Sequence, residues 1–148
     1  MRKLFLLLAL LIAPFLHAQS GTALNIPKAN LIQPADLNKI IASKYATQPL
    51  VFQIGSRMMY DQAHIPGAEY IGAGSQASGI DALKSRVGSL NKSQPIILYC
   101  GCCPWIRCPN VGPAFAALQN MGFRNVKVLY LEQDFGTNWA GPGYAVAH

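Results

Sequence analysis

The sequence predicts a three-layer α/β domain with a mostly parallel central sheet flanked by helices. Short apolar runs rich in β-branched residues alternate along the chain with segments whose apolar residues recur at helical spacing. This alternation is typical of a parallel sheet that is covered by helices on both faces. A chain of 148 residues also suits one such domain and is short for two.

The amino terminus has the pattern of a secretory signal peptide. Two basic residues precede the apolar run 4–16, and Ala18 provides a small residue at the expected cleavage site. The run is too short for a transmembrane helix, which needs about 20 residues, so cleavage is favoured over a retained anchor. We therefore predict a periplasmic or secreted protein, not attached to a membrane after cleavage, with a signal peptide, a lead-in segment and one domain: residues 1–18, 19–30 and 31–148.

A helix and a strand are predicted first. Pro34 favours a helix start, and an apolar repeat at helical spacing begins at Leu37, so we expect a helix that ends near Tyr45. The run 50–54 is apolar and largely β-branched or aromatic, which predicts a buried strand that stops at Gly55.

Shorter elements follow. The polar stretch 56–63 suits a helical turn, 69–71 suits a short strand, and the Gly- and Ser-rich stretch 72–79 predicts a flexible surface loop. Apolar residues then recur at helical spacing from Ile80, which predicts a helix that ends before Gly88.

The strongest strand signal, 95–99, leads directly into Cys100. After the loop that follows, 114–121 predicts a helix closed by Gly122, and 126–131 predicts the last strand. Ligands of parallel α/β sheets bind outside the carboxyl ends of the strands. Cys100 is therefore expected at the ligand-binding edge.

The charge pattern argues against nucleic acid as a partner. The sequence has twelve basic and six acidic residues, for a formal charge of +6, but Lys and Arg are scattered singly along it. Such a surface mainly aids solubility, although its field favours a small anion in a cleft. All four cysteines lie within residues 100–108, which indicates one reactive or metal-binding loop and not a disulfide framework.

Three ordered motifs resemble those of the rhodanese-like family, whose fold is a three-layer α/β domain. They are Tyr60 with the His-Ile-Pro-Gly-Ala turn 64–68, the strand 95–99 with Cys100, and the helix end and strand 118–128, with Trp139 and Gly143–Tyr144 closing the pattern. The turn and the aromatic residues are interpreted as structural, and His64 as a hydrogen-bonded turn residue. The resemblance implies that Cys100 is the catalytic nucleophile.

The sequence departs from the family at two places. Gln53 and Gly55 stand where the family commonly carries Asp and Arg, although Arg57 lies close enough to substitute. The loop that starts at Cys100 is also longer than the family's usual loop. The helix that follows it therefore begins about four residues later than the family pattern has it.

The predicted chemistry is sulfur transfer or thiol redox. A cysteine between a strand end and a helix start can receive backbone N–H groups that stabilise its thiolate. The Cys100 thiolate would attack a sulfane donor such as thiosulfate and form a persulfide, which an acceptor thiol or cyanide removes without any cofactor. The partners are then a small sulfur-containing anion or acceptor thiol, with a periplasmic thiol protein as a further candidate. Substrate-binding candidates are Gly101, Cys102, Cys103, Trp105 and Arg107.

The additional cysteines leave alternatives open. One of them can resolve the persulfide or pair with Cys100, and Cys108 is favoured by loop closure, since Cys102 and Cys103 are adjacent and pair poorly with each other. A periplasmic copper(I) or zinc site is the alternative function, with the ligands Cys100, Cys102, Cys103 and Cys108. A non-catalytic binding domain is a third possibility. A phosphatase is disfavoured because the interval from Cys100 to Arg107 is one residue too long.

Overall fold

The computed structural model describes residues 25–43 and 47–148. The predicted signal peptide and Tyr45 lie outside these residues. Strands and α-helices alternate along the described part of the chain as β1 (Leu31–Ile32), α1 (Pro34–Ala42), β2 (Leu50–Gln53), α2 (Arg57–Gln62), β3 (Glu69–Tyr70), α3 (Ala77–Val87), β4 (Ile96–Tyr99), α4 (Val111–Asn120) and β5 (Val126–Leu129). Short 3₁₀ turns lie at Lys28–Asn30 and Trp105–Arg107, and a π-helix lies at Gly136–Ala140.

The five strands form one sheet in the order β1-β5-β4-β2-β3, and every pairing in it is parallel. The central strand β4 is buried along its whole length. Its Leu98 pairs with Phe52 on one side and with Val128 on the other. The predicted parallel sheet is therefore confirmed, and Cys100 follows its central strand.

Alternate residues of each strand face two separate cores, as the pleat of a strand requires. On one face, Phe52 and Leu98 pack with Leu83 of α3 and Leu118 of α4. On the opposite face, Val51, Ile97, Tyr99 and Leu129 pack with Leu37 of α1 and with Trp139. The sheet thus lies between two layers of helices, which confirms the three-layer architecture.

Two helices begin earlier than the sequence predicts. α3 begins at Ala77, inside the predicted loop 72–79, because Gly79 packs directly against the backbone of Ala73 in a space that a Cβ would not fit. α4 begins at Val111 and not at residue 114, because Pro113 falls in the first turn, where the missing N–H would have no helical partner.

The His-Ile-Pro-Gly-Ala turn is held by hydrogen bonds around Tyr60. The Tyr60 hydroxyl donates to the Ala68 carbonyl at 2.7 Å, and His64 Nδ1 donates to the Tyr60 carbonyl at 2.9 Å. The rings of Tyr60 and His64 stack at 3.9 Å, and Gly67 takes the positive φ of 77° that the turn requires. The structural role predicted for His64 is confirmed.

The end of the predicted lead-in packs on the domain. Ile26 is buried in the core that contains α3 and α4, and Asn30 Nδ2 donates to the Val126 carbonyl at 3.0 Å. Within residues 25–43 and 47–148, none of the helices has the length and apolar character needed to cross a bilayer.

Candidate functional site

The candidate site lies at the carboxyl end of β4, where Cys100 is buried against the turn that follows β2. A Cβ added at Gly55 would lie 2.9 Å from Cys100 Sγ, so only a glycine fits there without a shift. Gln53 is itself buried; its Nε2 donates to the Cys100 carbonyl at 3.2 Å and its Oε1 accepts from the Gly55 N–H at 3.1 Å. The neutral side chain of Gln53, which bridges Cys100 and Gly55, therefore occupies the position of the family's usual acidic residue.

Gly101 turns the chain sharply after Cys100. Its φ of +75° is a conformation that favours glycine, and a Cβ there would lie 2.8 Å from Phe135 Cβ. The Phe135 N–H donates to the Gly101 carbonyl at 3.0 Å and fixes the turn. The following residue, Cys102, is thereby brought back beside Cys100.

Three of the four thiols form a compact group. Cys102 Sγ lies 3.0 Å from Cys100 Sγ and 3.5 Å from Cys103 Sγ. The three sulfurs lie within 4.8 Å of one another and could hold a soft metal ion. Cys108 is not one of these three; it is buried and borders a small pocket together with Cys100 and Cys103.

Asn110 is a site residue that the sequence analysis missed. Its buried Nδ2 donates to Cys100 Sγ at 3.2 Å and lies 3.9 Å from Cys102 Sγ, while its Oδ1 accepts from the Ser75 N–H at 3.0 Å. An Asn directly before a helix normally suggests a capping role, but this side chain makes no capping bond. It connects the sulfurs to the segment before α3.

The thiols differ in acidity because they share hydrogen bonds. The Cys100 thiol shares a hydrogen bond with Cys102, interacts with Cys108 and is also buried, and these three effects raise its pKa. The interaction with Cys100 lowers the pKa of Cys102 to about 6 and that of Cys108 to about 7. Burial, followed by the contact with Cys102, raises the pKa of Cys103 to about 12. Negative charge therefore collects beside Cys100.

The sequence predicts that backbone N–H groups near the start of α4 stabilise the thiolate of Cys100, and the structure differs on this point. The backbone N–H groups of Asn110 and Val111 stabilise the thiolate of Cys108. The donor at Cys100 is instead the Asn110 side chain. This difference follows from the long loop, which places Cys108, and not Cys100, within three residues of the helix start.

An open cleft of about 570 Å³ lies in front of the cysteine cluster. Cys102 is exposed and lines it, together with Asn110, Arg57 and Tyr70, whereas the buried Cys100 is not among the lining residues. Arg57 provides a positive charge at the cleft; its Nε donates to Asp61 at 2.9 Å.

The other predicted substrate-binding residues take different positions. Gly101, Cys103 and Trp105 line the small pocket that Cys100 also borders. Trp105 is buried with its ring 5.2 Å from that of Tyr130, so it covers the loop. Arg107 is exposed and is not among the residues that line the cleft.

The acidity of Cys102 predicts selective alkylation. With a pKa of about 6, Cys102 is mostly thiolate at neutral pH, and the thiolate is the reactive form. Its rate of reaction with iodoacetamide should rise through pH 6 and level off near pH 7, as measured by fragment mass spectrometry. Cys103 in the same peptide serves as the control and should react slowly. A Cys102 rate that keeps rising up to pH 9 would contradict this assignment.

Comparisons with known proteins agree with the fold. The family model of the rhodanese-like domain matches residues 33–132. The solution structure of the rhodanese-like domain of the Alr3790 protein from Anabaena superimposes with a TM-score of 0.57 at 21% identity, covering 80% of this chain and 78% of that one. A crystal structure of the Alr3790 protein gives a TM-score of 0.56 at 19% identity, covering 78% and 81%.

A rhodanese-like domain protein from Staphylococcus aureus gives a TM-score of 0.50 at 16% identity, with 80% of this chain and 99% of that one covered. No curated protein matches the sequence. Identities at this level establish the fold alone, but the family model covers well over half of the 148 residues. This chain therefore belongs to the rhodanese-like domain family.

Proposed function

We propose that this protein is a sulfurtransferase or thiol-redox enzyme in which Cys100 accepts a sulfur atom as a persulfide. Membership of the rhodanese-like family supports sulfur transfer in general. The observation that carries the specific proposal is the position of Cys100 at the end of the central strand, with a second thiol 3.0 Å away and an amide donor at 3.2 Å.

The first step is a displacement at sulfur. Cys100 and Cys102 share one proton across their 3.0 Å contact; the proton rests mainly on Cys100, and the reactive minor form carries it on Cys102, so that the Cys100 thiolate attacks the outer sulfur of thiosulfate. A bond forms between Cys100 Sγ and that sulfur, and the bond to the sulfite group breaks, so sulfite leaves with the electron pair. Asn110 Nδ2 is placed to donate to the sulfur on Cys100. An acceptor thiol or cyanide then removes the outer sulfur.

The donor enters through the cleft. Cys102 lines the open cleft and its sulfur lies 3.0 Å from that of the buried Cys100, so rotation of the Cys102 side chain is the motion that would admit a donor; such rotations are fast compared with turnover. Arg57 lines this cleft and is paired with Asp61, so the part of its charge that this carboxylate leaves uncompensated favours an anionic donor. Gly101, Cys103 and Trp105 shape the wall behind Cys100, and Arg107 contributes charge from the exposed part of the loop.

The test is sulfite release from thiosulfate by the reduced protein in the presence of dithiothreitol. Sulfite forms whichever acceptor takes the sulfur, so the assay reports the first step alone. Catalytic sulfite release above a protein-free control supports the proposal. The absence of sulfite release would refute it. Copper and zinc are measured on the same sample, because a stoichiometric metal bound by the cysteines without sulfite release would support the metal site instead.

We also propose that the protein acts outside the inner membrane, with a periplasmic thiol protein as a candidate acceptor. The support is the charged, apolar and small-residue pattern of residues 1–18. Expression with the native leader should yield a periplasmic protein whose amino-terminal residue is Gln19, as determined by peptide sequencing. Recovery of the full-length chain from the cytosol or the membrane would overturn this.

Replacing Gly55 by alanine should slow sulfite release. The added methyl group would lie 2.9 Å from Cys100 Sγ and 3.0 Å from Gln53 Nε2, so the nucleophile or the Gln53 side chain has to move. Displacements of about 1 Å at a reacting group cost up to about 100-fold in rate, and we expect a loss of at least about tenfold. Gly88→Ala, at the end of α3, is the matched control and should keep the wild-type rate. Equal rates for the two variants would argue against this packing.

A further inference from the structure

We propose that Cys102 resolves the Cys100 persulfide, forming a disulfide with Cys100 and releasing hydrosulfide, and that the second substrate of this site is a dithiol reductant. This inference rests on the proposed function, because it concerns the fate of the persulfide. It names a second reacting residue and the chemical class of the acceptor.

The two sulfur atoms of the pair already lie close together. Cys102 Sγ lies 3.0 Å from Cys100 Sγ, and a disulfide bond of about 2.05 Å requires an approach of about 1 Å. The turn at Gly101 creates this proximity, and the contact with Phe135 on the far side of the turn holds it. The sulfur that Cys102 faces is the Cys100 Sγ itself, which becomes the inner sulfur of the persulfide.

Solvent access distinguishes Cys102 from Cys108, the partner favoured by loop closure in the sequence. Cys100 and Cys108 are both buried, so a disulfide between them would have both sulfurs inside the protein. Cys102 is exposed in the open cleft. A disulfide with Cys102 therefore presents one sulfur to an incoming thiolate, as thiol–disulfide exchange requires.

The step balances in atoms and charge. The persulfide anion on Cys100 reacts with the Cys102 thiol; a bond forms between the two Sγ atoms, and the bond between Cys100 Sγ and the outer sulfur breaks. The outer sulfur leaves as hydrosulfide and takes the proton of Cys102. The thiolate of the dithiol then attacks the exposed sulfur of Cys102, and its second thiol closes the reductant's own disulfide, so both cysteines return to the reduced state.

The cleft is large enough for this second substrate. Its volume of about 570 Å³ lies within the range of about 300–1,000 Å³ that small-molecule sites occupy. It is also open, so a cysteine pair on the surface of a protein can reach Cys102.

The experiment uses reduced protein, freed of reductant and treated with one equivalent of thiosulfate. Sulfite and sulfide are quantified, and the intact mass and the disulfide-linked peptides are determined. The wild type should release about one sulfide for each sulfite, keep no extra sulfur and contain a disulfide between Cys100 and Cys102. Cys102→Ser should form sulfite more slowly, retain one sulfur atom and release sulfide only after dithiothreitol is added.

The outcomes separate this inference from the proposed function. Absence of sulfite from the wild type would overturn both proposals. Sulfite formation with the extra sulfur retained on the wild type would overturn the resolving role of Cys102 and leave Cys100 as the sulfur acceptor. A wild-type disulfide that links Cys100 to Cys108, together with undiminished sulfide release from Cys102→Ser, would assign the resolving role to Cys108.

Discussion

Serine in place of Cys100 should reduce sulfite release from thiosulfate by about 10³-fold or more, the scale on which loss of a nucleophile acts in enzymes. The serine hydroxyl cannot form a persulfide, and it is a far weaker nucleophile than sulfur at neutral pH. The initial rate with dithiothreitol as the reductant measures the effect. The fold should be retained, because serine differs from cysteine in this pocket only by the smaller oxygen atom.

Two results would change the assignment. A Cys100→Ser variant with more than about a tenth of the wild-type rate would place the nucleophile elsewhere, and Cys102 would be the first candidate because it lines the cleft. A variant that unfolds at a much lower temperature than the wild type would show that the loss of rate reflects the fold, so the melting temperature is measured in parallel.

Replacing Trp139 by alanine should have the largest effect on stability. Trp139 is only 1% exposed; its ring stacks with Phe135 at 6.3 Å and meets the edge of Tyr144 at 5.2 Å. Its Nε1 donates to the Ala145 carbonyl at 2.9 Å. Removal of such a side chain leaves a cavity and an unpaired acceptor, and large-to-small changes of this kind cost about 3–5 kcal/mol. Urea unfolding measures the loss.

Two matched variants separate the contributions. Trp139→Phe keeps most of the ring but loses the hydrogen bond, so it should cost less than the alanine variant. Val146→Ala removes an apolar side chain that is 36% exposed and should change the free energy of unfolding by no more than about 0.5 kcal/mol. A loss below about 1 kcal/mol for Trp139→Ala would contradict the described packing.

The fold was predictable because its signals are local. The alternation of strands and helices and the strong strand at Ile96–Tyr99 follow from patterns within short windows, and both are confirmed. The starts of α3 and α4 were predicted too late, whereas the start of α1 at Pro34 was predicted correctly. The start of α3 depends on a close approach between Gly79 and Ala73. This contact forms only in the folded turn, and the spacing of apolar residues along the sequence does not reveal it.

The site was predictable only in part. The place of Cys100 follows from the strand before it, which local pattern identifies. The bridging role of Gln53 and the donor Asn110 depend on contacts between segments 47 and 10 residues apart, and no local pattern records them. The proximity of Cys102 to Cys100 depends on the backbone conformation of a single glycine, so loop length alone favoured Cys108.

The order of strands in the sheet bears on how the chain folds. β1 is an edge strand whose partner is β5, the last strand of the chain, and the adjacent bond from Asn30 to Val126 spans 96 residues. Parallel pairing over such separations requires large loops to close before the contacts that stabilise them can form, which slows folding. β1 cannot pair with β5 until almost the whole domain has been synthesised. An emerging chain thus remains incompletely folded until its last strand is available.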